Sequence, residues 1–142
     1  MNWKEEAIEK LRRLPIMAGA VQAIPAELER LELEAKSLQA GSGRGRGRPS
    51  LRSQENRLLD NLVRRQELER QQANAESWVG ITEQALRRVN EQEETLVKML
   101  YVEEMDAARV CDVLQMERSS MYRHRDTALK KLTLALYGAL ES

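Results

Sequence analysis

The sequence has no phenylalanine, one cysteine, one histidine and three prolines in 142 residues, and only 4% of it is aromatic. So few aromatic rings cannot fill a large globular core. A lone cysteine excludes an intramolecular disulfide. No apolar run approaches the roughly 20 residues that cross a bilayer, so a membrane-spanning role is excluded. The opening stretch MNWKEEAIEKLRRL is amphipathic and carries both signs of charge, without the continuous apolar core of a signal peptide. Together these absences make a cytoplasmic protein the expectation. Nor is there a global charge bias: 23 basic and 23 acidic residues cancel, which by itself says nothing about nucleic acid.

What is abundant is Leu, Ala, Glu and Arg, the composition of long helices packed by aliphatic seams. With 42% hydrophobic and 32% charged residues, the chain suits one domain plus an extension, and the fold class is all-α.

Along the chain, Trp3, Ala7, Ile8, Leu11 and Leu14 recur at helical spacing on one stripe. Pro15 predicts a break, because an interior proline removes a backbone hydrogen bond and costs about 3 kcal/mol. Pro25 is placed to open a new helix in which Leu28, Leu31, Ala35 and Leu38 follow heptad spacing, ending at Gly41. Residues 41–50 read GSGRGRGRPS, a flexible loop with no side chain able to bury apolar area. A long helix from Leu51 to about Val79 then places Leu58, Leu59, Leu62 and Val63 on one side, and Gly80 marks a bend. Two helices joined by one loop pack antiparallel, so Leu28 falls beside Leu62 and Leu11 near Trp78. Trp3 and Trp78 read as core staples, not base-stacking platforms. Residues 1–89 thus form a long antiparallel helical hairpin, a stalk whose polar middle, RRQELERQQANAES, leaves room for a homodimer partner or is simply a solvated arm.

Residues 90–142 form the second domain. Asn90 caps a helix with Glu93 reaching back from three residues on, and Leu96, Val97, Leu100 and Tyr101 make its buried face. Asp106 caps a second helix carrying Val110, Cys111, Val113 and Leu114 inward. Gln115, Met116 and Glu117 make a three-residue turn. In the helix that follows, Met121, His124, Ala128, Leu129 and Leu132 share one side, while Arg118, Ser119, Tyr122, Arg123 and Arg125 fall toward the other. Charge changes sign at the turn: 90–117 holds two basic and eight acidic residues, whereas 118–142 holds five basic and two acidic. A surface that meets phosphates must be Arg/Lys-rich, so the pattern reads as a helix-turn-helix presenting its last helix to a DNA groove.

The run from Tyr101 to Leu132, YVEEMDAARVCDVLQMERSSMYRHRDTALKKL, resembles the promoter-reading fourth region of bacterial sigma factors. With a long helical half in front, the whole chain resembles phage-encoded transcriptional regulators of the RinA/ArpU type. The stretch from Asn90 to Leu136 that carries the motif covers about a third of the chain. Gln115 stands where the sigma-like pattern has a turn glycine, Glu117 where it has a Ser or Thr cap, and His124 where it has an aliphatic residue. The resemblance implies that Arg118, Ser119, Tyr122 and Arg123 point into the major groove, where Arg bonds guanine, Ser reaches phosphate and Tyr packs on a thymine methyl. Ser120, Arg125 and Lys130 complete the expected DNA-binding set, Lys130 with Lys131 facing phosphates or merely solubilising. It further implies host RNA polymerase as a partner beside double-stranded DNA, a bacterial host cytoplasm, and activation of late genes.

Arg44, Arg46 and Arg48 lie in the loop, where Arg46-Gly47-Arg48-Pro49 is the core of an AT-hook. A minor-groove hook, a nonspecific phosphate arm and an inert loop all stand open there. His124 reads as a packed ring and Cys111 as a buried inert thiol. The carboxylates Glu91, Glu93, Glu94, Glu103 and Glu104 have no His or Cys companions, so they read as a solvated face. No metal, cofactor or catalytic constellation is expected. Two rival classes remain: a small-terminase-like DNA-packaging protein, and a helical interaction or assembly protein that does not read DNA specifically.

Overall fold

A computed structural model of the chain describes residues 2–40 and 51–138. The described residues are all-helical, without a strand. Helix α1 spans Trp3–Ala40, α2 Leu51–Leu86, α3 Glu91–Val97, α4 Ala107–Leu114 and α5 Arg118–Tyr137, with a π-helical turn at Lys98–Val102 extending α3. None is long and apolar enough to cross a membrane.

Several expectations about the long helices are corrected. Helix α1 runs unbroken through Pro15 and Pro25. Both prolines are solvent-exposed, so each ring crowds water and not a packed neighbour, and each forfeits a single hydrogen bond in a helix of 38 residues. Helix α2 likewise continues through Gly80 to Leu86. Its buried residues recur every seven positions, at Gln54, Asn61, Leu68, Ala75 and Thr82, and the spacing carries on to Val89. That is the period of a left-handed helix seam. Leu59, Leu62 and Val63, expected in the packed face, are instead 57%, 42% and 45% exposed.

The described residues fall into two compact units, Gly19–Glu76 and the remainder. In Gly19–Glu76 the apolar cluster is thin: Ile24, Leu31 and Leu68, with Ala20 and Leu28 alongside. Leu28 packs against this cluster, while Leu62, expected beside it, stays 42% exposed. Polar residues do much of the joining. The Asn61 amide donates to the Leu31 carbonyl at 2.9 Å, and the Gln54 amide donates to the Leu38 carbonyl. Contacts advance along one helix as they retreat along the other. The carboxamides hold the seam by donating to backbone carbonyls across it, and the Asn61 oxygen accepts from Arg65 at 2.8 Å, which offsets the cost of burying them.

In the other unit the first turns of α1 supply Ala7, Leu11 and Leu14, the end of α2 supplies Ala85 and Leu86, the connection after it supplies Val89, and α5 supplies Ala128, Leu129 and Leu132 to one core with Val97 and Tyr101. A second cluster joins Leu96, Val110 and Met121, each at 0% exposure. Trp78 is half-buried; its indole N–H donates to the Lys10 carbonyl at 3.2 Å, and the Lys10 ammonium sits 3.7 Å from the ring centroid. Trp3 is also half-buried, and its carbonyl accepts from the Thr133 hydroxyl at 3.5 Å.

Candidate nucleic-acid interface

Local chemistry sets the start of each short helix. Asn90 and Glu93 form a reciprocal capping box: the Asn90 side chain accepts from the Glu93 N–H at 2.8 Å and Glu93 accepts from the Asn90 N–H at 2.9 Å. Glu93 is buried and also accepts from Lys131 of α5 at 2.8 Å. Burial pushes the Glu93 carboxyl upward, but the hydrogen bonds from Lys131 and the Asn90 N–H outweigh it and hold the group below its ordinary value. One glutamate thus starts α3 and fastens it to α5. Lys131, expected to face phosphates or merely solubilise, is committed to this contact.

The π-helical turn carries Tyr101 inward and ends near Glu104, a left-handed residue at φ 54°. Sequence periodicity did not reveal this segment, because a single wide turn shifts the pattern by one residue without breaking it. Asp106 then caps α4 by accepting from the Arg109 N–H at 2.8 Å. Val110 is sealed, and Cys111 and Leu114 are half-buried. Val113 is 52% exposed, a correction to its expected inward placement. An eight-residue helix buries a narrow stripe here, and Val113 falls outside it.

Gln115 closes α4 in the left-handed conformation, φ 54° and ψ 52°, the position for which glycine is favoured. Its N–H and that of Met116 reach back to the Asp112 and Cys111 carbonyls at 3.4 and 3.1 Å. Glu117 is extended and opens α5 without a side-chain cap.

Helix α5 is sharply divided. Met121, Ala128, Leu129 and Leu132 are 0–1% exposed. Arg118, Ser119, Tyr122, Arg123 and Lys130 are exposed, and Ser120 is half-buried. Arg125 does not belong with the open residues. It is half-buried, donates to Asp126 at 2.9 and 3.2 Å, and lies 4.7 Å over the Tyr122 ring. Burial would lower its pKa, but the Asp126 carboxylate raises it on balance, so the guanidinium stays charged. Asp126 also pairs with Lys4 of α1 at 3.3 Å. Burial pushes the Asp126 carboxyl upward, yet Arg125 and Lys4 together hold it below the usual range. The Lys4–Asp126–Arg125–Tyr122 chain was not visible in the sequence, since its ends lie more than a hundred residues apart and carry no local pattern. His124, expected at a core position, is only half-buried. Cys111 packs at the edge of the Leu96–Val110–Met121 cluster and is half-buried, not fully so.

The chain belongs to the DUF1492 family. That family is described as a protein of unknown function, and its model matches residues 51–133. The match begins at α2 and ends in α5, so the DUF1492 pattern contains the capping box, the turn at Gln115 and the divided helix, and excludes α1. No curated protein matches the chain, and no solved structure does.

No group of three or more His, Cys, Asp or Glu able to hold a metal ion occurs among the described residues. Arg44, Arg46 and Arg48, with the whole Arg46-Gly47-Arg48-Pro49 motif, lie outside them.

Proposed function

We propose that this DUF1492 protein is a sequence-specific duplex-DNA-binding regulator of transcription that reads the major groove with the outer face of α5 from Arg118. The observation that carries the reading is the division of α5. A helix whose inner side is sealed to 0–1% exposure can hold Arg118, Ser119, Tyr122 and Arg123 in one fixed array. Preorganised donors of this kind suit base edges and phosphates. In this reading α4, the turn at Gln115 and α5 form a helix-turn-helix of the sigma-fourth-region kind within residues 90–142, and residues 1–89 form an antiparallel hairpin.

Arg118 and Arg123 each bond a guanine edge, Ser119 and Ser120 donate to phosphates, Tyr122 meets a thymine methyl or a phosphate, and Lys130 neutralises the backbone farther along. Arg125 acts differently: held by Asp126, it supports the Tyr122 ring. The phage-regulator character, activation of late genes and contact with host RNA polymerase rest on the sequence resemblance.

Selection of the full chain on a randomised duplex library at two salt concentrations tests the reading. A reproducible motif that the Arg118→Ala/Arg123→Ala variant loses supports it, with affinity for the selected site falling on the order of 100-fold or more. Salt-sensitive binding without a motif would shift the function to packaging or architectural binding. Absence of binding would refute it.

A further inference from the structure

Helix α2 carries two seams at heptad spacing. The first, through Gln54, Asn61 and Leu68, is buried within Gly19–Glu76. The second runs through Arg52, Leu59 and Gln66 and, three residues on from each, Glu55, Leu62 and Glu69, and all six residues are exposed. It is centred roughly 130° around the helix from the first, as a repeat of 3.5 residues per turn requires. Leu59 and Leu62 keep 57% and 42% of their surface in water, and Val63 beside them keeps 45%. Aliphatic residues at i, i+3 and i+4 on an open helix face form the kind of patch that a further helix covers.

We infer that this second seam is a homodimer interface in which α2 packs antiparallel against α2 of a second copy, about a two-fold axis between Asp60 and Asn61. The charge pattern selects both the occupant and the direction. An antiparallel two-fold arrangement places Leu59 against Leu62 of the second copy, Glu55 against Gln66, and Arg52 against Glu69, each contact occurring twice. It also brings Val63 to the half-buried Leu58. The apolar centre is thus closed at both ends by opposite charges. A parallel in-register pair would instead set Arg52 on Arg52, Glu55 on Glu55 and Glu69 on Glu69, a like-charge contact at each. The seam spans about 27 Å of helix at 1.5 Å per residue, which fits a small, reversible interface of micromolar strength. This inference is independent of the DNA-binding proposal, since none of its residues lies in α3, α4 or α5.

Sedimentation equilibrium of the full chain, over about 1–300 µM to bracket micromolar affinity, tests it. The expected result is a monomer–dimer equilibrium, with the heavier species at twice 16.3 kDa. Leu59→Glu/Leu62→Glu should weaken dimerisation at least ~100-fold by setting carboxylates against carboxylates, with helical circular dichroism unchanged because both positions face water. Arg52→Glu alone should weaken it about 5-fold, and adding Glu69→Arg to the same chain should restore it to within about 2-fold. A monomer throughout the range, a trimer or larger assembly, or a dimer indifferent to Leu59→Glu/Leu62→Glu would overturn the interface. A charge reversal that fails to rescue would overturn the antiparallel register.

Discussion

The two compact units solve the same packing problem with different materials. Around α5, aliphatic side chains from α1, α2, α3 and α4 close over Met121, Leu129 and Leu132 until at most 1% of each stays exposed. In Gly19–Glu76 the large buried aliphatics are only Ile24, Leu31 and Leu68, with the small Ala35 and Ala75, and Asn61 and Gln54 join the helices through backbone carbonyls. The dense unit can hold an outer surface to fixed geometry, because its side chains have one way to pack. The thin unit specifies pairing through a few hydrogen bonds and leaves a second apolar face open. Rigidity thus belongs with the candidate reading surface, and adaptability with the candidate assembly surface.

Truncation should separate the units most strongly. Met121→Ala is expected to cost about 4 kcal/mol, since it opens a void between α3, α4 and α5 that cannot collapse. Leu68→Ala, in the thin cluster, should cost about 2 kcal/mol because neighbours and water can close the gap. Chemical denaturation of the two variants checks the comparison, and equal losses would break it.

The Glu93–Lys131 contact should come next. Lys131→Met is expected to lower stability by about 2 kcal/mol, the scale of a hydrogen bond to a charged group. The native Glu93 carboxyl lies below its ordinary value, so the stability it contributes is present above the ordinary glutamate range near pH 4.3 and is lost as pH falls through the native value. Lys131→Met should flatten that acid limb. A pH series of urea melts on both proteins measures it.

In the thin unit the sign should reverse. Asn61→Leu replaces a buried amide whose removal leaves the Leu31 carbonyl its helical partner, so helix pairing should strengthen by about 1 kcal/mol while loosening the register that the amide enforces. A raised melting temperature with a broadened transition is the expected readout. The smallest effect concerns Thr82, whose hydroxyl is buried with no hydrogen-bond partner among the described residues. Thr82→Val should raise stability by about 0.5–1 kcal/mol, and a loss would point to an unseen partner.

Much of the dense unit was legible in the sequence because its determinants are short-range. The caps at Asn90 and Asp106 act within three residues, and the turn at Gln115 to Glu117 interrupts a periodicity that resumes at Arg118. The burial of Met121, Ala128, Leu129 and Leu132 follows from spacing alone. The long helices were less legible. Pro15 and Pro25 pointed to breaks, yet a helix of 38 residues tolerates two solvent-facing prolines. Leu59, Leu62 and Val63 looked like the packed face of α2, yet Asn61 and Gln54 took it.

By itself, the sequence determined an all-helical chain, the start of each short helix and the division of α5 into an apolar and a basic side, because these depend on groups within about four residues of one another. Only the tertiary structure decided which seam of α2 is buried, that Arg125 turns to Asp126 and Tyr122, and that Lys4 and Trp3 reach α5. Those outcomes are contests between faces of similar local preference. They are settled by partners up to 130 residues away, whose hydrogen bonds and packing no local pattern records.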